Sequence, residues 1–476
     1  MTDPLHVAYV TPEMVPFQKT GGLADVSGAL PKALAGLGHR VTVVMPRYGS
    51  IPFPPGEFVG AAEVPGGGTT GYYLTRTDAG VEVVFVEHPP FFDRPRPYGW
   101  DDDSLRFAFL ARAGLEYFRH RGERADVFHA HDWQAGLVPV FLKALYWDDP
   151  TLHRTASVFT IHNVAYQGQF GTDVLGILGL PGHLGTSFAL GYQGGISYLK
   201  GGAEFAEIVS TVSPTYAHEI QGDEHGFGFQ ETVRSRAEDV VGILNGVDYE
   251  VWDPQADEHI ARRYSADDLT GKAHCKADLL TAFGLADSPD LPVVGVTSRL
   301  VWQKGFDVVA EAWWDLLQRS VRMVVLGTGD DAVQAGLADL ARRDPDRFAV
   351  RFAYDEGLAH RIMAGADIFL MPSRSEPCGL TQMYALRYAT VPIVRATGGL
   401  ADTVEAWDPA TEEGTGFRFD HADGTGLMWA LDQALDANRD RAGWGRLMRN
   451  GMAKDFSWER SAREYVDLYE AARSRV

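Results

Sequence analysis

LHVAYVT (residues 5–11), KTGG (19–22), LADVSGALPKALAGLG (23–38) and RVTVVMP (40–46) follow one another near the start of the chain. Two short, continuously apolar runs flank a glycine loop and a helix-like segment. An apolar run without alternation suits a strand buried on both faces, as in a parallel sheet. The stretch therefore predicts a βαβ unit. The rhythm continues in VEVVFVE (81–87), ADVFHA (125–130), ASVFTIHN (156–163) and AEIVSTVS (206–213). Each run is followed by a Gly, Asn, Asp or Pro punctuator and then a helical pattern, which implies a doubly wound α/β sheet.

A turn-rich break, NGVDYEVWDP (245–254), precedes a second series. LPVVGVTSRL (291–300), RMVVLGTGD (322–330), FAVRFAYD (348–355), ADIFLMPS (366–373) and TVPIVRAT (390–397) read as five more strands. The expected fold is thus two Rossmann-like domains, residues 1–250 and 251–456. An amphipathic helix over 457–476 is free to cross back to the first. Ligands in such sheets sit beyond the carboxyl ends of strands, so a shared site is expected in a cleft between the domains.

Composition narrows the function. The 476 residues are 45% hydrophobic and carry a formal net charge of −21. That charge repels nucleic-acid phosphates and anionic lipid, and no long Lys/Arg cluster offsets it. A bound phosphate must therefore meet a cationic pocket built locally. Two cysteines, Cys275 and Cys378, exclude a disulfide framework or a four-thiolate zinc site. The start lacks the pattern of a signal peptide, and no apolar run is long enough to span a bilayer. A cytoplasmic protein with no nucleic-acid or membrane partner is expected; oligomeric state is not legible.

The candidate chemistry lies at predicted strand ends. Lys19, Gly21, Gly22 and Asp25 surround a strand-to-helix turn where backbone can approach an anion, although a twin glycine alone also fits an ordinary turn. The spacing is not that of a dinucleotide fingerprint. Asp132 and Trp133 follow one strand and His162 ends another. Trp133 could stack on a sugar face or fill a core, and His162 could bond a hydroxyl. Arg299 and Lys304 flank one strand-to-helix turn, at a spacing that lets a planar fork and a point charge reach one diphosphate. Gly329 sits in a turn able to line a nucleotide, and Tyr354 in a place where an adenine could rest. In PSRSEPCGLTQ (372–382), Pro377 suits the first turn of a helix, and amides near Gly379 and Leu380 can hold phosphate. Glu376 beside them is costly unless it grips something such as a sugar hydroxyl. Cys378 reads as a small packed residue. Asp101–Asp103 lie in a Pro/Gly-rich loop and read as a solvated turn rather than a metal site. TGGLAD occurs twice, at 20–25 and 397–402, with Ala396 in the second copy where the first has Lys19. The second reads as another helix start facing the cleft, or as a turn alone.

In this order, KTGGLADV, HDWQ, TIHNVAYQG, LNGVD, SRLVWQKG, SRSEPCGLTQ and TGGLADTV resemble bacterial glycogen synthases and plant starch synthases over nearly the whole chain. The resemblance implies a GT-B fold and a metal- and cofactor-free, retaining transfer of glucose. The donor is ADP-glucose, and the acceptor is the non-reducing 4-OH of an α-1,4-glucan such as glycogen. It assigns Glu376, Lys304, Arg299, His162 and Asp25 to catalysis. It places Lys19, Gly21, Gly22, Asn245, Gly329, Tyr354, Cys378, Gly379, Leu380 and Thr381 at the donor. Tyr98, Asp132 and Trp133 fall on the acceptor side. Related retaining transferases often carry a second glutamate eight positions after the first; here that position is Tyr384, which leaves ribose recognition unassigned.

Other readings compete. One is a related transferase using UDP-glucose or a small acceptor; another is a catalytically silent glucan-binding protein. A phosphorylase would need a pyridoxal-binding lysine for which there is no case. A NAD dehydrogenase would need the missing fingerprint.

Overall fold

A computed structural model of the chain describes residues 3–476. The backbone divides into two compact units: one runs to Gly246 and includes Trp458–Val476, the other is Val247–Ser457.

The first unit holds β1 (His6–Val10), β2 (Arg40–Pro46), β3 (Glu57–Val64), β4 (Gly68–Arg76), β5 (Glu82–Glu87), β6 (Val127–His131) and β7 (Ala156–Ile161). The short strands β8 (Gln169–Phe170), β9 (Gly191–Tyr192) and β10 (Gly195–Ser197) follow, then β11 (Ile208–Thr211) and β12 (Val240–Gly242). The main sheet runs β12-β11-β7-β6-β1-β2-β5-β4-β3, and β8, β10 and β9 form a small sheet of their own. From β12 to β5 every pairing is parallel. All of β1 and β6 is buried. Helices on both faces cover such strands, and this is why their sequences show no alternation.

The parallel core was anticipated; the β3–β4 hairpin on its edge was not. Both strands pair antiparallel, and the register shifts between Phe58 and Gly60. A shift of one residue swaps the faces, so the two-residue alternation that betrays a half-buried strand is broken within β3.

The second unit holds β13 (Val293–Thr297), β14 (Arg322–Leu326), β15 (Phe348–Arg351), β16 (Ile368–Met371), β17 (Val391–Arg395) and β18 (Phe417–Phe419). They form one parallel sheet in the order β15-β14-β13-β16-β17-β18. The sixth strand, only three residues long, is too short to show a pattern. Chain order reverses between β13 and β16 here, and between β1 and β6 in the first unit. The carboxyl ends of those strand pairs are the standard ligand position of such sheets.

The division falls at 246/247, before the expected residue 250. NGVDYEVWDP reads as turn-rich, yet its aromatic residues are built into the second unit. Val247 N–H donates to the Phe456 carbonyl at 2.6 Å. Trp252 is sandwiched between His360 and Tyr384, with centroids 3.8 and 4.1 Å away and rings within 8° of parallel. The final helix, Trp458–Arg473, belongs to the first unit. It buries Trp458, Ala462, Tyr465, Val466, Tyr469 and Ala472, a stripe at helical spacing. The Ser461 hydroxyl donates to the Leu244 carbonyl at 2.6 Å, and Tyr469 meets His129 Nδ1 at 2.8 Å. Among the described residues, no helix is long and apolar enough to cross a membrane.

Tyr469→Phe strands a buried imidazole nitrogen and should cost about 1–3 kcal/mol. Urea denaturation followed by a probe in the first unit checks this; an unchanged midpoint would remove the helix from that unit's core.

Candidate active site

In the second unit the two loops at the switch point are zipped together. Gly305 ends the turn after β13 with φ +71°, and a Cβ there would lie 2.0 Å from the Pro372 carbonyl oxygen. Arg374 N–H donates to the Gln303 carbonyl at 2.9 Å. The Arg374 guanidinium pairs with Asp307 at 2.5 Å and lies over the Trp302 ring. This close seam carries Lys304 to Glu376: Nζ and Oε2 are 2.5 Å apart, and both side chains are largely buried, 18% and 8% exposed. Ser373 Oγ donates to the same carboxylate oxygen at 3.0 Å. Arg299, one turn earlier, is exposed and has no carboxylate partner among the described residues.

Glu376 leads into the helix Thr381–Arg387. Gly379 supplies the positive φ of +70° that turns the chain into it. The first amides of a helix have no intrahelical acceptor, so those of Gly379, Leu380 and Thr381 are available to an anion. Gln382, fully buried, fixes this turn by donating to the Cys378 and Gly379 carbonyls, both at 3.1 Å. Cys378 is itself buried. Gly329 abuts Leu300, where a Cβ would lie 2.2 Å from the carbonyl oxygen, so it joins the loops after β13 and β14. Tyr354 is 76% exposed and presents an open ring.

Arg395 was not anticipated. It is buried, at the end of β17, and donates from Nε to the Ser373 carbonyl at 2.9 Å and from Nη2 to the Arg374 carbonyl. It clamps the strand-to-helix loop from beneath. An arginine within an apolar run was the available signal.

The switch point of the first unit is built differently. His131 and His162, at the ends of β6 and β7, meet through Nδ1 and Nε2 at 3.0 Å. Burial holds His162 far below the ordinary imidazole range, at about 3, so the ring is neutral at neutral pH. Asp132 adopts φ +54°, uncommon for a non-glycine residue, and accepts from the His162 amide at 2.7 Å. Burial pushes its carboxyl up to about 7. Glu13, just past β1, is a third buried group that sequence reading missed. It accepts from the Thr20 amide at 2.5 Å, and burial raises its pKa. A lone glutamate after a strand carries no motif; only the fold brings it onto the KTGG loop. Lys19 and Asp25 pair across that loop at 2.7 Å. Asn245 is buried with Oδ1 lacking a hydrogen-bond partner.

Trp133 packs against Phe107 at 5.1 Å and Phe170 at 5.7 Å. A Cβ on Gly168 would lie 2.6 Å from its indole. Its ring is partly buried among these residues. Tyr98 stands 5.8 Å from Phe107, and burial raises its hydroxyl well above the usual range. In Asp101–Asp103 only the exposed Asp101 fits a solvated turn. Asp102 pairs with Arg94 at 2.6 Å, and the buried Asp103 pairs with Arg106 at 2.6 Å and accepts from the Gly99 amide. No cluster of three metal-ligating side chains occurs among the described residues.

The two TGGLAD strings separate cleanly. A Cβ on Gly21 or Gly22 would meet nothing within 4 Å, so these glycines border open space. Gly398, with φ +45°, would place a Cβ 2.0 Å from the Glu376 carbonyl oxygen, and Gly399 one 2.1 Å from that of Cys378. The second string is a bed for the backbone of Glu376–Cys378.

Two Rossmann-like units, one presenting a lysine, an arginine and free helix amides at its switch point, define a nucleotide-sugar glycosyltransferase of the GT-B class. Residues 6–235 match the starch synthase catalytic domain and residues 283–450 the glycosyl transferases group 1. A glycogen synthase of Koribacter versatilis is 47% identical over 98% of both chains, and one of Anaeromyxobacter dehalogenans is 49% identical over 98% of both. The catalytic domain of starch synthase IV from Arabidopsis thaliana, bound to ADP and acarbose, superposes with a TM-score of 0.91. It is 34% identical, over 99% of this chain and 100% of that one. The chain belongs to the bacterial glycogen synthase and plant starch synthase family.

Gly399→Ala forces backbone against backbone and should lower stability by about 2 kcal/mol or more, whereas Gly22→Ala should leave the melting temperature nearly unchanged. Calorimetry of both variants tests this, and equal melting temperatures would contradict it. Asp132 has a folded-state pKa above its unfolded value. Its contribution to stability is therefore full below 3.8 and is lost as pH rises to about 7. The stability of the wild type relative to Asp132→Asn should accordingly fall across that window; a flat difference in denaturant titrations would refute the shift.

Proposed function

We propose that the chain transfers glucose from ADP-glucose to the non-reducing 4-OH of an α-1,4-glucan, with retention of configuration. The observation that carries this reading is the buried Lys304–Glu376 pair at the switch point of the second unit, beside an unpaired Arg299. A diphosphate entering there gains two cations and the amides of Gly379, Leu380 and Thr381. Lys304 exchanges its carboxylate for phosphate oxygen, which leaves Glu376 to accept a hydrogen bond from a sugar hydroxyl. Tyr354 supplies a face for the adenine. The ADP in the related Arabidopsis structure supports adenine over uracil.

Breaking the anomeric C–O bond puts negative charge on the departing diphosphate and positive charge on the sugar. Donors already in place stabilise the first without reorganising, typically worth about 2.7–4 kcal/mol for one such group. In this scheme Arg299 and Lys304 supply the charge opposing the leaving group, and no cofactor enters. His162 is neutral, so it can bond a hydroxyl of the transferred glucose without adding charge that opposes an oxocarbenium-like centre. The acceptor 4-OH attacks the same face that the phosphate leaves, and its proton passes to a departing phosphate oxygen. The products are the extended glucan and ADP.

ADP release from ADP-glucose with glycogen should greatly exceed UDP release from UDP-glucose. Lys304→Met and Glu376→Gln should each lower turnover by about 100-fold or more while circular dichroism stays that of the wild type. Near-normal turnover in both variants would overturn the assignment.

A further inference from the structure

Three histidines line up along β6 and the end of β7 in the first unit, and the reaction derived above uses only the last of them. His129 and His131 stand two residues apart on β6, so both point to the same face. His162 follows β7, and its Nε2 is 3.0 Å from His131 Nδ1. His129 is fully committed: Nε2 meets Thr160 Oγ1 at 2.6 Å, and Nδ1 meets the Tyr469 hydroxyl at 2.8 Å. His131 is clamped but only half partnered. Tyr9 stacks on its ring at 3.9 Å and His129 packs against it at 4.0 Å, which holds the ring's orientation. Its Nε2 is buried and has no hydrogen-bond partner. His162 differs in that its side chain is only partly buried, and its Nδ1 has no hydrogen-bond partner among the described residues.

These contacts decide where the protons sit. Burial keeps both His131 and His162 neutral, so each ring carries one N–H. Across the 3.0 Å contact one nitrogen donates and the other accepts. If His162 donated, the proton of His131 would lie on Nε2, a buried N–H with no acceptor. Orphaned donors of that kind are rare in folded proteins. If His131 donates from Nδ1, both ring protons have an outlet: that of His131 in the pair, and that of His162 on Nδ1. Only a lone pair is then left bare, on His131 Nε2.

We infer that His131 is a positioning residue, which donates from Nδ1 to His162 Nε2 and so fixes His162 as the tautomer that offers Nδ1–H to the ligand. The hydrogen bond at one ring nitrogen sets the protonation of the other. The inference rests on the proposed transfer of glucose, in which His162 bonds a sugar hydroxyl. It adds the direction of that bond: His162 donates, and the hydroxyl oxygen accepts. A free imidazole in water favours the Nε2–H tautomer, which would turn a lone pair toward the same oxygen. His131 thus supplies a fixed donor without placing a charge beside the oxocarbenium-like centre.

Ring-nitrogen NMR and a double-mutant cycle test it. In protein labelled with nitrogen-15 histidine, the His162 signals are those lost in His162→Gln. In the wild type they should show a protonated Nδ1 and a bare Nε2; a protonated Nε2 would overturn the inference, whether or not any variant of His131 folds. In ADP-release assays with glycogen, His131→Leu and His162→Ala should each lower kcat by about tenfold, the worth of one hydrogen bond. The double variant should lose no more than about tenfold, because the two residues act as one unit. A loss of about a hundredfold in the double variant would show that His131 acts independently of His162, and would overturn the inference. His131→Asn, whose amide can donate from the place of Nδ1, should keep most of the turnover that His131→Leu loses; an equal loss in both would contradict the donor role. A wild type that releases no ADP would instead refute the transferase reading, while the ring spectra would still report the tautomer.

Discussion

A lysine and a glutamate held 2.5 Å apart and mostly out of water set the geometry of the second unit's functional end. Removing two charges from water costs more than an ordinary surface pair returns, and the same volume of apolar side chain would stabilise the fold as well. The surrounding residues make sense as its support. Gly305 lets the β13 loop touch Pro372, Arg395 ties down the carbonyls of Ser373 and Arg374, and Gly398 and Gly399 accept the backbone of Glu376–Cys378. Each contact fixes one of the two loops that carry the pair. The result is a preorganised cation next to unpaired helix amides, the arrangement that a departing diphosphate requires.

The first unit uses the same strand order with the opposite electrostatics. Its switch point gathers Glu13, Asp132 and His162, and burial pushes all three toward their neutral forms. Neutral imidazole and poised carboxyls can bond sugar hydroxyls without competing for phosphate.

Much of this was legible in the sequence, for physical reasons. The parallel strands announce themselves because both faces are buried, so β1, β2, β5 and β13 read as unbroken apolar runs. Lys304 and Glu376 were legible because they stand just beyond such runs. The β3–β4 hairpin was not, because the shift at Phe58 breaks its alternation. Glu13 carries no motif, and Arg395 is marked only by being an arginine inside an apolar run. The twin TGGLAD strings are alike in sequence and differ in surroundings, one beside empty space and the other pressed against a loop.

Calorimetric titration of ADP onto the wild type, Lys304→Met and Glu376→Gln examines the pair most directly. If Lys304 is the seat of the diphosphate and Glu376 grips the sugar, Lys304→Met should bind ADP about tenfold or more weakly. Glu376→Gln, which frees the lysine, should bind it at least as tightly as the wild type. Wild-type affinity in Lys304→Met would contradict the account.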